Sequence, residues 1–279
     1  METGTMEIRN AIHPDHAAIL DTDQLREQFL IEDLFTGDAP KLVYTFYDRL
    51  IVGGVKPTGP VELNIDPAVI GGEYLLERRE MGVFNIGGPG SITVEGKKID
   101  MAYRDGLYVG KGNRSIVLNS DDVANPARYY ILSAPAHSEY PIEKMTFADA
   151  EPIELGEMEN ANKRTIRKYI HPDGVKSCQL VMGMTTLETG SIWNTMPPHS
   201  HQRRMEAYLY FDMKDDDLVF HFMGEADQTR HLVVREGQAS PSWSIHSGAG
   251  TSNYTFIWGM AGENQAFTDM DHIPISEIR

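Results

Sequence analysis

Hydrophobic positions in this chain fall into short runs rich in Val, Ile, Tyr and Phe, most of them closed by glycine. The first series is "KLVYTFYDRLIVGG", "GVFNIGG", "GSITVEG", "GLYVGKG", "SIVLNS" and "RYYILSAP". A second begins near Cys178 with "CQLVMGMTTL", "EAYLYFDM", "LVFHFMG", "RHLVVREG" and "YTFIWGM". Short strands with turn signals between them and no interleaved helices predict an all-β chain of sandwiches or barrels. One segment near the N-terminus, "TDQLREQFLIEDLF" (22–35), predicts a helix. The polar stretch 146–170 reads as a connection, dividing the chain into an N-terminal domain, 1–150, and a C-terminal domain, 151–279.

The two series resemble a weak internal repeat. "LERREMGVFNIGG" followed by "GSITVEG" parallels "QRRMEAYLYFDM" followed by "LVFHFMG". Setting Glu80 on Glu206 places Glu73 and Leu75 where the second half has His199 and His201. Metal-ligand chemistry is therefore expected in the C-terminal domain, and the N-terminal one is expected to be degenerate and metal-free.

Composition narrows the function classes. The 279 residues are 41 % hydrophobic and 24 % charged, which suits a globular chain. Lys+Arg number 25 against 41 Asp+Glu, a formal charge of −16. That balance argues against nucleic acid or an anionic membrane as partner, since both are bound by clustered cations. Cys178 is the only cysteine, so no internal disulfide framework is expected. The first twenty residues show no apolar signal core, and no apolar run approaches a bilayer span. A cytoplasmic protein is the expectation.

The candidate chemistry lies in "NTMPPHSHQRRMEAYLYF" (194–211). His199 and His201, two apart on extended chain, face the same way. Glu206 joins them only if the chain bends or a bulge changes the parity. A fourth ligand must come from elsewhere, and His246 in "SPSWSIHSG" is the best candidate, with His221 and His231 as alternatives. Three imidazoles and a carboxylate suit zinc or another first-row divalent ion. No G-x-S-x-G elbow or phosphate-loop motif competes with this site.

H-x-H-x4-E with a later His resembles the metal-binding pattern of the cupin superfamily, although Trp243 stands where a glycine is common. More specifically, "GSIWNTMPPHSHQRRMEAYLYFDM", "SPSWSIHSGAGTSNYTFIWGMAGENQAFTDMD", "YLLERREMGVFNIGG" and "RDGLYVGKG" are similar to the 4-deoxy-L-threo-5-hexosulose-uronate ketol-isomerases of pectin breakdown, nearly from end to end. The resemblance implies a bicupin of two tandem jelly-roll domains and one zinc per subunit, held by His199, His201, Glu206 and His246 in the C-terminal barrel. It also implies a homohexamer acting on an open-chain sugar acid, whose carbonyl moves from C1 to C2. Glu206, His231 and Tyr254 are the candidate bases, and a hydride shift would need none. Arg203 and Arg204, between the ligands, are the candidate clamps for the substrate carboxylate. The alternatives are a 5-deoxyglucuronate isomerase, a metal-dependent dioxygenase and a sugar-acid-binding cupin.

Overall fold

The structure, a computed structural model, describes residues 6–279, with the backbone alone described for residues 239–242. In chain order the first strands are β1 (Met6–Arg9), β2 (Lys41–Thr45), β3 (Ile51–Val55), β4 (Val61–Glu62), β5 (Arg79–Asn85), β6 (Gly90–Val94), β7 (Lys97–Met101), β8 (Gly106–Val109), β9 (Ile116–Ser120), β10 (Tyr129–Pro135) and β11 (Glu143–Met145). They continue with β12 (Pro152–Leu155), β13 (Arg164–Ile170), β14 (Val181–Leu187), β15 (Trp193–Ser200), β16 (Arg204–Phe211), β17 (Val219–Glu225), β18 (Gln228–Val234), β19 (Ala239–Ser242), β20 (His246–Gly250), β21 (Thr255–Gly262) and β22 (Asp271–His272). The helices α1 (Pro14–Ile19), α2 (Thr22–Phe29) and α3 (Pro67–Ile70) are short. Among the described residues no helix is long and apolar enough to cross a membrane. Each hydrophobic run quoted above overlaps at least one of these strands.

Two local expectations are corrected. The helix predicted over 22–35 is α2 alone. Leu30 and Ile31 are both buried, and one helical face cannot bury two consecutive residues together with Leu25 and Phe29. Asp21 opens α2 with a capping box, its carboxylate accepting from the Gln24 backbone N–H while the Gln24 side-chain oxygen accepts from the Asp21 backbone N–H. The stretch predicted as a connection, 146–170, contains β12 and β13, whose Arg164 and Ile166 line the cavity described below.

The chain gathers into two compact units. One comprises the chain up to Arg9, Asp33–Ala150 and Tyr169–Val181; the other comprises Asn10–Glu32, Glu151–Lys168 and Met182–Arg279. The expected division into 1–150 and 151–279 does not describe these units, because hydrogen bonding draws residues 10–32 into the second. Arg230 on β18 donates to the carbonyls of Ala17, Ala18 and Leu20 at the end of α1, and Arg26 on α2 donates to Val233 O. A cation there also opposes the negative end of a helix.

The first unit stacks a seven-stranded sheet, β1-β2-β3-β10-β5-β8-β11, over a four-stranded one, β4-β9-β6-β7. Its apolar centre includes Ile51, Val83, Ile92, Leu107, Leu118 and Ile131. Glu80 on β5 is fully buried there. Its carboxylate accepts hydrogen bonds from the Tyr108 hydroxyl at 2.8 Å and from the backbone N–H groups of Cys178, Gln179 and Leu180 at 2.6, 2.8 and 2.8 Å.

The second unit pairs a six-stranded sheet, β12-β13-β14-β21-β16-β19, with a five-stranded one, β18-β17-β20-β15-β22. One face of the larger sheet carries Arg164 and Ile166 of β13, Thr185 of β14, Phe256, Trp258 and Met260 of β21, and Glu206 and Tyr208 of β16. These positions are two apart along each strand, and the register sets Glu206 opposite Met260 and Tyr208 opposite Trp258. Trp258 Nε1 donates to Thr185 Oγ1 at 3.1 Å. Gly183 leaves room for that indole, since a Cβ there would lie 2.1 Å from the ring.

A candidate metal centre and its cavity

The sequence left open how Glu206 reaches the two histidines. The chain turns at Gln202 and Arg203, so β15 lies in the five-stranded sheet and β16 in the six-stranded one. His199 and His201 therefore face Glu206 across the two sheets, and H-x-H-x4-E spans two strands, not one. His246 arrives on β20, directly opposite His199 in the β15–β20 ladder. That ladder is interrupted on β15. Asn194 pairs with Gly248 and His199 with His246, so five residues of β15 oppose two of β20. The extra residues bulge, and Thr195, Met196 and Pro197 enter the cavity wall.

The ligand atoms of His199, His201, Glu206 and His246 all lie within 4.8 Å of one another, and all four residues are buried. His199 Nε2 is 3.2 Å from His201 Nε2 and 2.9 Å from His246 Nε2. Glu206 Oε2 is 2.9 Å from His201 Nε2 and 2.7 Å from His246 Nε2. The protons do not account for this crowding. A carbonyl oxygen only accepts, so His201 uses its Nδ1–H on Asp269 O at 2.6 Å, and His246 uses its Nδ1–H on Ser244 O at 3.1 Å. With Nδ1 so engaged, either ring in its neutral form would offer Nε2 as a lone pair.

Burial, reinforced by the neighbouring His246, pushes the His199 pKa down to about 2, so that ring carries a single proton at neutral pH. Burial would raise the Glu206 carboxyl, but the adjacent imidazoles of His246 and His201 hold it well below the usual carboxylate range. One proton cannot bridge four close contacts between lone pairs; a cation at their centre satisfies all of them. Metal–ligand distances of roughly 2.0–2.1 Å give tetrahedral edges of roughly 3.3–3.4 Å between ligand atoms, so the contacts of 2.7, 2.9, 2.9 and 3.2 Å would open slightly around an ion. The four residues can hold a metal. Among the described residues they are the group of His, Cys, Asp and Glu so arranged.

Beside this cluster lies a cavity of about 420 Å³, lined by the residues of the larger sheet named above together with Thr195, Met196, Pro197, Phe267, Thr268, Met270 and His272. Its wall is mainly apolar with a few convergent polar groups, the usual character of a small-molecule site. Tyr208 presents its hydroxyl 3.2 Å from Thr195 Oγ1. Burial, with the Glu206 charge nearby, raises its pKa well above the ordinary phenol value, so the O–H keeps its proton. His272, opposite His199 in the β15–β22 ladder, sits with its ring 6.0 Å from that of His199.

Behind the ligands runs a buried polar layer. His221 Nδ1 and the Tyr210 hydroxyl are 2.7 Å apart, and Asn194 Nδ2 donates to the Tyr254 hydroxyl at 2.7 Å.

Several expected site residues lie elsewhere. His231 is exposed on β18, its ring against Phe220, outside the cavity wall. Tyr254 is buried in the layer behind the ligands and does not line the cavity. Arg203 is committed to Asp269 and Asp271, donating at 2.8–3.1 Å. Arg204 donates to the carbonyls of Ala266 and Asp269 at 2.7 and 3.1 Å. Neither arginine lines the cavity; together they hold the 264–271 segment, whose Asp269 carbonyl orients His201. His221 is not among the four clustered ligands and is a buried, hydrogen-bonded histidine. Tyr208, His272 and Arg164 line the cavity without having been singled out. Their only signal was strand alternation.

Comparison with known proteins agrees with this architecture. Residues 37–275 match the model of the KduI/IolB family. A 4-deoxy-L-threo-5-hexosulose-uronate ketol-isomerase of Caldicellulosiruptor bescii is 52 % identical over 276 residues, covering 98 % of this chain and all of that protein. The protein of the same name from Yersinia pestis (strain Pestoides F) is 54 % identical over 279 residues, with 98 % and 100 % covered. Among solved structures, an IolB-like protein of Salmonella typhimurium LT2 superposes with a TM-score of 0.64 at 12 % identity, covering 80 % of this chain and 87 % of that one. A single-residue mutant of Bacillus subtilis oxalate decarboxylase gives 0.52 at 12 % identity, covering 78 % and 69 %, so the likeness to these two is one of fold. With a match spanning most of its length and relatives above half identity end to end, the chain belongs to the KduI/IolB family.

Proposed function

We propose that this chain is a zinc-dependent ketol-isomerase acting on 4-deoxy-L-threo-5-hexosulose-uronate and yielding 3-deoxy-D-glycero-2,5-hexodiulosonate. The observation that carries the reading is a buried three-histidine, one-carboxylate cluster opening on a mainly apolar cavity, in a chain whose full length matches isomerases of that name. His199, His201, Glu206 and His246 would hold the ion. Zinc supplies Lewis-acid polarisation of a carbonyl oxygen and no redox chemistry, which suits a reaction without net oxidation.

The reaction removes a proton from C2, returns one to C1 and exchanges a proton between the two oxygens. Tyr208, kept protonated, donates a hydrogen bond to the oxygen that gains charge. His272 faces the same cavity and can take up and release a proton, so it replaces His231 and Tyr254 as the candidate base. The apolar wall of Phe256, Trp258, Met260 and Phe267 excludes water from the reacting carbons. The first unit is read as metal-free, its Glu80 satisfied by backbone and phenol in place of an ion. A cytoplasmic homohexamer belongs to the same proposal.

The test is purification, metal analysis and anaerobic turnover of the uronate. Stoichiometric zinc and turnover without oxygen consumption are expected. Inertness of the zinc-loaded protein towards this substrate would refute the reading, and oxygen uptake would favour a dioxygenase. Turnover in D2O separates the routes: deuterium at C1 of the product means proton transfer, and its absence means a hydride shift. Light scattering reports the assembly.

A further inference from the structure

A sugar acid has a charged end as well as a reacting end, and the two arginines nearest the ligands are both engaged elsewhere. Arg164, at the start of β13, is the residue among those lining the cavity that carries a permanent positive charge. Its strand position explains why it faces inward. It is two residues from Ile166, which lines the same wall, and is paired with Leu155 of β12. Nη1 donates to Asn162 O at 2.9 Å, which anchors the guanidinium. No carboxylate is in ion-pair contact with it among the described residues, and the side chain is only half-buried, so its remaining donors are available. Burial lowers its pKa, as expected for a cation held against apolar walls without a counter-ion.

We propose that Arg164 binds the carboxylate of the substrate and makes this site specific for uronates over uncharged sugars, an inference that rests on the isomerase function proposed above. The planar fork of an anchored arginine matches a carboxylate bidentately, and little side-chain freedom is lost on binding. In a chain of formal charge −16, long-range attraction cannot gather an acid, so a local cation must hold it.

The test uses Arg164→Gln and Arg164→Lys in the zinc-loaded full chain, each checked for metal content and melting temperature. Kinetics are measured on the uronate and on its uncharged carboxamide, and binding of the ketouronate product is measured by calorimetry. For Arg164→Gln we expect KM for the uronate and Kd for the product to rise roughly tenfold to a hundredfold, with kcat changed far less and the carboxamide unaffected. Arg164→Lys, which keeps charge and loses the fork, should fall between, and it carries the test alone if the glutamine variant does not fold. An unchanged KM and Kd, or equal losses on both substrates, would overturn the assignment while leaving the isomerase reading intact. A wild-type protein inert towards the uronate would overturn both.

Discussion

Glu80→Gln offers a test of what the first unit does with its buried carboxylate. Two donors meet each oxygen: Gln179 and Leu180 N–H on Oε1, Tyr108 O–H and Cys178 N–H on Oε2. An amide keeps one acceptor oxygen and turns an NH2 towards the other pair. The least costly arrangement puts that NH2 beside Tyr108, whose hydroxyl can rotate to accept, and leaves Cys178 N–H without a partner. One stranded buried donor costs about 1–3 kcal/mol, and the other bonds lose their charge assistance at about 0.5–1 kcal/mol each. Relief from burying a charge offsets part of this, leaving about 2–4 kcal/mol in total. Tryptophan fluorescence is a poor reporter, because Trp193, Trp243 and Trp258 all belong to the second unit. Amide hydrogen exchange at 178–180 reads the effect directly and should accelerate roughly 30- to 1,000-fold, at about 1.4 kcal/mol per decade. Metal content should not change. Protection at these three amides within about twofold of the wild type would refute the reasoning.

Replacing His199, His201 or His246 with Ala should remove stoichiometric metal and turnover while circular dichroism stays that of a folded β protein; retained zinc and activity in His246→Ala would exclude the assigned cluster. Arg203→Ala should lower kcat/KM equally for charged and uncharged substrates, because it loosens the Asp269–Asp271 segment and not a substrate contact; a loss confined to the uronate would return Arg203 to the binding site. Burial pulls the His221 pKa down to about 3 from about 6.5 in the unfolded chain, so the unfolded state binds the extra proton between those values and stability falls as pH drops below about 6.5, by up to about 1.4 kcal/mol per unit. His221→Leu should therefore be less stable at pH 7, having stranded the Tyr210 hydroxyl, yet show a shallower decline in denaturant midpoint from pH 6.5 to 4; parallel declines would contradict this. Asp21→Ala, which removes the α2 cap, should cost about 1 kcal/mol by chemical denaturation without touching turnover.

Local pattern carried the strands and three members of the buried cluster, because strand alternation and the spacing of His199, His201 and Glu206 are written within a few residues. His221, an alternative fourth ligand in the sequence, lies in an apolar alternating run and is buried and bonded to Tyr210. What failed depended on residues far apart. Arg203 and Arg204 looked free because their acceptors lie some sixty residues later, at Ala266, Asp269 and Asp271. Arg164 was hidden in a stretch that reads as a linker, since the acidic, amide and basic residues of 156–165 separate the short apolar runs of β12 and β13. The placement of α1 and α2 was equally invisible, as their carbonyl and side-chain partners on β18 come two hundred residues on.

That last placement has a consequence for how the chain is made. Residues 10–32 leave the ribosome before the strands they join, most of which begin at Met182 or later. At about 5–20 residues per second, the intervening stretch of roughly 150 residues takes roughly 8–30 s to synthesise. During that interval Leu25 and Phe29 have no barrel to bury them, and the first unit is assembled from the chain that follows. A fragment starting at residue 151 would be born without the two helices that belong to its unit.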